Sequence, residues 1–210
     1  MTTVTRRTFL GAAAGGTMLA AIQPTALFAG QADAIRLPSP ISEDDGSLMA
    51  ALQNRKSTRS FSSRPLPQQV LSNLLWAAFG INRPDSGFRT APSPKNSQEI
   101  EIYAATAEGL YLYDPHFHQL VLLGKDDIRR YCGKQGFVAT APLNLIFVAD
   151  FSRLGNRDEK KKLFYAAADT GFISQNVYLF CATSGLGTVV RDWVDRPLLA
   201  GKMSLRKAQR

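Results

Sequence analysis

Residues 158–184 place the tightest limit on how this chain can fold. From Asp158 to Ser184 the sequence reads as one long helical run, polar at first and then dense in Phe164, Ala167, Ala168, Phe172, Val177, Leu179 and Phe180. A helix apolar on more than one face has to be enclosed by other structure. Either the centre of the domain or a second copy of the chain must cover it. The 210 residues support one well-filled domain and are too few for two of ordinary size. With 45% hydrophobic and 20% charged residues, the composition supplies a core.

The remaining elements can be set around that helix. Glu43-Asp44-Asp45-Gly46-Ser47 supplies N-cap residues and acidic first-turn charge for a short helix through LMAALQNR. Pro65 and Pro67 lead into QQVLSNLLWAAFG, where Val70, Leu71, Leu74, Leu75 and Ala78 recur at helical spacing and Gly80 suits the C-terminal cap. Residues 81–98 hold three prolines and no apolar period, which reads as a long loop, a feature usually tied to function or disorder. IEIYAAT (100–106), LYLYD (110–114) and QLVLLG (119–124) read as an antiparallel meander. KDDIRRYCGK reads as a short helix, and APLNLIFVAD holds a buried strand. GLGTVVRDW leaves the long helix through glycine into a β-branched strand, and Asp195-Arg196-Pro197 starts a last helix. The predicted class is α+β, a mostly antiparallel central sheet flanked by helices.

Charge and cysteine content exclude several functions. Of the formal +8, six positive charges lie near the ends (Arg6, Arg7, Lys202, Arg206, Lys207, Arg210), which leaves +2 for the body. That is no footprint for a nucleic acid. Cys132 and Cys181 lack metal-like spacing, so a disulfide scaffold is excluded. A single bridge between them stays open, beside the reading of two buried thiols. His116 and His118 in PHFH have no third ligand nearby and read as a turn with Asp114-Pro115. No metal site is expected. Gly185-Leu186-Gly187 ends a helix where a dinucleotide fingerprint follows a strand. Lys160-Lys161-Lys162 reads as a solvated first turn.

At the N-terminus, TRRTFLG (5–11) precedes a Gly/Ala-rich apolar run of roughly twelve residues and then QPTALFAGQADA. This is the pattern of a secretory leader over 1–34, cut after Ala29 or Ala34. The run is shorter than the ~20 residues that span a bilayer, so cleavage is expected over a retained anchor, with no stable membrane span. The paired arginines with Phe9-Leu10 resemble the twin-arginine type. That resemblance implies passage through the twin-arginine translocase, a periplasmic or otherwise exported location, and carriage of a protein already folded around its cofactor.

Chemistry concentrates in RKSTRSF (55–61). On an extended segment Arg55, Ser57 and Arg59 project to one side. Two guanidinium forks and a hydroxyl match a terminal phosphate. Taken alone, the motif reads equally well as a solvated basic loop. Ser93, Asn96 and Gln98 stand just before a strand, where amides can bond both edges of a planar heterocycle. Tyr165, Asp169 and Tyr178 lie on the long helix; one can face a ligand, though core packing or a cap is the simpler role.

RxSxRxF, LxxLLWAAFG, APSxxNxQ, APLNLIFVAD and a helix ending in GLGT, in this order over residues 48–205, resemble the FMN-dependent nitroreductase family. YAATAEGLYLYDPHFHQL and GLGTVVRDWVDRP are similar to its SagB-type branch of azoline and thiazole dehydrogenases. The resemblance implies a nitroreductase-like fold, an intertwined homodimer and one FMN at each subunit interface. It places Arg55, Ser57 and Arg59 on the phosphate and ribityl end and Ser93, Asn96 and Gln98 along the isoalloxazine. The backbone of Val190, Arg191 and Asp192 would approach the reactive face. It names no catalytic acid or base, because the flavin carries the chemistry. Relatives of this branch usually continue into an apolar C-terminal strand that completes the neighbouring subunit's sheet. This chain ends at SLRKAQR, so that strand is expected to be missing and residues 206–210 to form a basic tail.

The expected function is two-electron transfer on a small organic or peptide-derived substrate with a separate electron donor or acceptor. Because an exported protein does not meet NAD(P)H, a dehydrogenase or quinone-linked role is favoured over nitro reduction. Two alternatives stay open. One is an FMN-binding relative without turnover; the other is a non-flavin exported module whose basic tail contacts anionic lipid.

Overall fold

The computed structural model describes residues 47–210. The leader read at 1–34 and the acidic residues 43–45 lie outside them. Among the described residues no helix is long and apolar enough to cross a membrane, and no group of residues could hold a metal ion.

The first two helices start as their sequences dictate. Ser47 caps α1 (Leu48–Asn54) by accepting the Ala50 N–H at 3.1 Å. Helix α2 (Gln68–Phe79) begins after Pro67 and stops at Gly80. A side chain on Gly80 would collide with Trp76, since its Cβ would stand 2.5 Å from the indole. Residues 81–98, read as a long loop, carry a small hairpin: β1 (Ile81–Arg83) pairs antiparallel with β2 (Phe88–Arg89), and a 3-10 turn follows at Pro94–Asn96. Three prolines and a lack of apolar period hide this hairpin because it packs little and is held mainly by its own backbone.

The central sheet has the order β5-β4-β3-β6, all antiparallel. Its strands are β3 (Ile100–Thr106), β4 (Gly109–Asp114), β5 (Gln119–Gly124) and β6 (Asn144–Ala149). The meander is as the alternation predicts. Gly109 makes the first turn possible, with φ at 146° and a notional Cβ only 2.2 Å from the Gly124 carbonyl oxygen. At the second turn Asp114 accepts the N–H groups of His116 and Phe117, while His118 bridges Tyr113 and Ser72. PHFH is therefore a turn.

Alternation along the strands builds two cores. Ile100, Ile102, Tyr113 and Ala149 face α2 and the long helix α3 (Glu159–Thr183). Tyr103, Ala105, Leu110 and Val148 face the opposite way, onto Ile128, Val138, Leu199 and Met203. The second layer is made by α4 (Arg196–Lys202), capped by Asp195, and by 3-10 turns at Arg129–Tyr131 and Gly136–Ala139. The first of those turns stands where a regular helix is expected at KDDIRRYCGK. Cys132 and Cys181 are both free and buried, one in each core, and burial pushes both thiols up to about 11.

Asp158 caps α3 by accepting the Lys161 N–H at 2.8 Å. Ala166, Ile173, Val177 and Cys181 are buried against α1, α2 and β3. The opposite side of α3 is uncovered, with Phe164 68% and Phe172 49% exposed.

The segment 206–210 is not a free tail. Arg210 exchanges two backbone hydrogen bonds of 2.9 Å with Ala149, and Phe151 donates to Ala208. Gln209 is buried, donating to Glu101 Oε2 at 2.6 Å and Tyr103 Oη at 3.0 Å, while Arg206 pairs with Asp150 at 2.8 Å. One antiparallel bridge, Asp150 opposite Gln209, and two side-chain anchors tie it beside the end of β6.

One buried polar pair stands out in the first core. Glu99 is 0% exposed and Asp169, from α3, is 3% exposed. Ser97 donates to Glu99 Oε2 at 2.8 Å, but Glu99 Oε1 and Asp169 Oδ2 have no donor. Burial, and then the neighbouring Glu99 carboxylate, push Asp169 up to about 7. A proton held between the two carboxyls satisfies both oxygens.

The folded state holds that proton where the unfolded chain, titrating near the ordinary value of 3.8, has released it. Stability is fully present below about 4 and is lost as pH rises through about 7. Asp169→Asn, which keeps a donor toward Glu99, should flatten this slope and raise stability at pH 8 by roughly 1–2 kcal/mol. Urea unfolding at pH 5 and pH 8 checks it; parallel slopes for wild type and variant would sink the shared proton.

Candidate functional site

The RKSTRSF segment starts where α1 ends. Arg55 is the C-cap, and from there the chain runs extended. Beside it lies the stretch that follows α3. Ser184 closes that helix, Gly185 turns the chain at φ 65°, and the Leu186 N–H bonds back to Cys181. This reversal lays Thr188 parallel to Ser57, with the Thr58 N–H donating to the Thr188 carbonyl at 2.9 Å. Gly187 permits the approach, because a Cβ there would stand 3.0 Å from Thr58 Cγ2. The β-branched run 188–190 does not become a strand. It has one bridge and no ladder.

Tyr178 lies under this junction. Its hydroxyl is 2.8 Å from Ser57 Oγ and accepts the Val190 N–H at 3.0 Å. The Arg55 guanidinium sits over its ring, 5.2 Å from the centroid. The structure therefore brings Arg55, Ser57 and Val190 onto one side chain that the sequence offers only as one of three helix residues. Arg59 is exposed two residues beyond Ser57, and Phe61 closes the segment against Phe137 at 5.4 Å. Among the described residues neither Arg55 nor Arg59 forms an ion pair.

Ser93, Asn96 and Gln98 form a second group that is largely self-satisfied. Ser93 Oγ accepts the Gln98 N–H at 2.9 Å. The Gln98 amide donates to Asn96 Oδ1 and the Gly87 carbonyl, both at 2.9 Å, and accepts from Arg89 Nε at 2.7 Å. Both N–H donors and one of the two oxygen lone pairs of that amide are therefore filled by protein. Arg89, absent from the sequence reading, is the buried organiser here: it lies over Phe79 at 4.6 Å, and burial lowers it to about 10. Its signal in the sequence is faint, one arginine in a polar loop. Asn96 is exposed, and among the described residues its side-chain NH₂ has no acceptor. Lys95, Asn96 and Gln98 all take positive φ, at 55°, 55° and 47°. Such a cluster of left-handed non-glycine residues is uncommon, and backbone of this kind collects at functional sites.

The third group divides. Val190 gives its N–H to Tyr178. Arg191 turns inward, donating to the Cys132 carbonyl at 2.8 Å and to Asn144 Oδ1 at 2.6 Å. Burial lowers its pKa. Asp192 is exposed and pairs with Arg196. Within the described residues the backbone N–H groups of Arg191 and Asp192 have no acceptor. What the segment offers a ligand is backbone, not charge.

These donor sets can be tested against the cofactor that the sequence resemblance implies. Two guanidinium groups without carboxylates, next to an exposed hydroxyl, fit a phosphate monoester. Free backbone N–H groups and the Asn96 amide fit the polar edge of a heterocycle; Gln98 has no N–H left to donate to it.

The nitroreductase family model matches residues 52–210. The chain belongs to the nitroreductase family. A Methanocaldococcus jannaschii protein described as a nitroreductase is 34% identical over 148 residues, covering 66% of this chain and 74% of that one. A crystal structure from Ralstonia eutropha, also described as a nitroreductase, is 46% identical and superposes with a TM-score of 0.75 over 82% of each chain. Two distant structures share the fold. An E. coli microcin synthetase complex has a TM-score of 0.64 at 19% identity, covering 92% of this chain and 80% of that one. A Vibrio harveyi NADPH:FMN oxidoreductase has a TM-score of 0.57 at 18% identity, covering 77% and 64%. The architecture is the nitroreductase-like α+β fold, and the family is one of oxidoreductases.

The inward turn of Arg191 has a measurable consequence. Arg191→Ala leaves the Cys132 carbonyl and Asn144 Oδ1 without their donor, at a cost of about 1–3 kcal/mol. Thermal unfolding of the full chain should show a loss of several degrees, at ~2–4 °C per kcal/mol for this size. Arg59→Ala, at an exposed side chain without a partner, should move the midpoint by less than about 2 °C. Equal midpoints for the two variants would overturn the anchoring role.

Proposed function

We propose that this protein is an exported FMN-dependent oxidoreductase of the SagB-like branch, acting on a small organic or peptide-derived substrate. The observation that carries the reading is the pair of unpaired guanidinium groups flanking Ser57, in a member of the nitroreductase family. Arg55, Ser57 and Arg59 would hold the phosphate. Asn96 and the N–H groups of Arg191 and Asp192 would meet the polar edge of the flavin. The chemistry that FMN supplies when bound is two-electron transfer. The protein's part is to grip the phosphate, orient the ring and present it to the substrate.

A homodimer belongs to this reading, and the uncovered face of α3 supports it. Phe164 and Phe172 flank Ala167 and Gly171 there, small residues that let a second helix come close. Export through the twin-arginine route is supported by TRRTFLG at the N-terminus. An exported flavoprotein does not meet NAD(P)H, which favours a dehydrogenase or quinone-linked role over nitro reduction.

The test uses the full chain purified from the cytoplasm before export. It should be yellow, with a flavin absorption band and FMN released on denaturation. Replacing both Arg55 and Arg59 by alanine removes at least two charge-assisted hydrogen bonds. FMN affinity should fall about a hundredfold or more, at ~1.5–3 kcal/mol for each bond. A colourless protein that fails to take up added FMN, or a double variant that retains it unchanged, would overturn the flavin reading. Rapid bleaching of the bound flavin by NADPH would overturn the donor assignment alone.

A further inference from the structure

We infer that Tyr178 is a positioning residue which aims the Ser57 hydroxyl hydrogen at the phosphate of the bound flavin, through a directed chain of hydrogen bonds that starts at the Val190 N–H. This rests on the flavin reading above and adds to it a residue outside the RxSxR motif.

Direction follows from counting hydrogens. The Val190 N–H can only donate, and it donates to Tyr178 Oη at 3.0 Å. The contact of 2.8 Å between Tyr178 Oη and Ser57 Oγ can run either way. If Ser57 donates, the tyrosine oxygen accepts twice, and its own hydrogen has no acceptor among the described residues although the side chain is half-buried. If Tyr178 donates, each of the two inner hydrogens is used. The single free hydrogen then belongs to Ser57, which is exposed. The second arrangement leaves no partly buried donor unsatisfied. An oxygen that has accepted a hydrogen bond is also the better donor, so the Val190 contact strengthens the next link.

The outcome is a serine whose hydrogen is left over to give. The tyrosine fills one of the two lone pairs of its oxygen, and its hydrogen is free for a ligand at the exposed side of the motif that Arg55 and Arg59 share. A phosphate needs donors, and a hydroxyl locked as donor is worth more to it than one free to rotate. The Tyr178 ring adds a second contribution by carrying the Arg55 guanidinium on its face. Two of the three motif side chains are thus set by one residue about 120 positions away.

Tyr178→Phe keeps the ring under Arg55 and deletes only the hydroxyl. Titrating flavin-free full-length protein with FMN and, separately, with riboflavin, which lacks the phosphate, reads the effect. Tyr178→Phe should weaken FMN about fivefold to tenfold, the scale of one hydrogen bond. Riboflavin affinity should stay within about twofold. Ser57→Ala, at an exposed position that does not threaten folding, should reproduce the split, and the double variant should lose little more than either single one.

Equal loss of FMN and riboflavin in Tyr178→Phe would overturn the inference in favour of a general structural role. So would additive losses in the double variant, or unchanged FMN affinity. Wild-type protein that binds neither flavin would overturn the inference together with the flavin reading. Wild type that binds FMN while the split is absent overturns the inference alone.

Discussion

The reversal of the chain at the end of α3 is the constraint on which the candidate site depends. Helix α3 is fixed along its buried side by α1, α2 and β3, and at Gly185 the chain doubles back on itself. That turn lays 186–190 against the segment leaving α1, so two stretches about 130 residues apart become neighbours through one bridge at Ser57 and Thr188. A single bridge is a weak attachment. Tyr178, coming from the helix itself, reinforces it with hydrogen bonds to both stretches. The long helix therefore acts as scaffold for the core and as the floor of the site.

Much of this is legible in the sequence because burial has a period. Strands β3 and β4 alternate and α2 repeats with clear apolar spacing, and each lies where that spacing puts it; β5, β6 and α3 are marked instead by apolar runs, and they too lie where those runs fall. Elements without a buried face are the ones that escape. The β1–β2 hairpin packs little, and 129–139 folds into 3-10 turns because its buried residues, Ile128, Cys132 and Val138, are too sparse for a helical stripe. The run 188–190 has strand-forming residues but no neighbouring ladder to join. Propensity without a partner gives extended chain, not a strand.

The site residues are legible in type but not in use. An amide such as Gln98 is equally suited to a heterocycle or to a buried guanidinium, and Arg89 claims it. An arginine such as Arg191, next to Asp192 and Trp193, looks like surface charge; two carbonyl oxygens, one from Cys132 and one from Asn144, draw it inside. Tyr178 carries no local signal, because its partners lie far along the chain or across a turn. Arg55 and Ser57 both meet Tyr178, in keeping with a two-residue spacing that is itself the geometry of an extended chain. Where spacing encodes the contact, the sequence suffices; where the contact is long-range, it does not.

The segment 188–194 shows how the two cores cooperate. Val190 is held from one side by Tyr178, which belongs to the helix packed on the first core. Arg191, the very next residue, is held from the other side by Cys132 and Asn144 at the edge of the second core. The Trp193 carbonyl is tied as well, accepting the Lys134 N–H at 3.0 Å. Anchors on both sides fix the peptide planes between them, so the unclaimed N–H groups of Arg191 and Asp192 are presented by a rigid frame rather than a loose loop. A site built this way offers a ligand backbone donors whose direction does not depend on which side chains surround them. Donors already held in place have little ordering entropy left to lose on binding. That is the physical reason a segment with only one backbone bridge can still hold its backbone donors in a fixed direction.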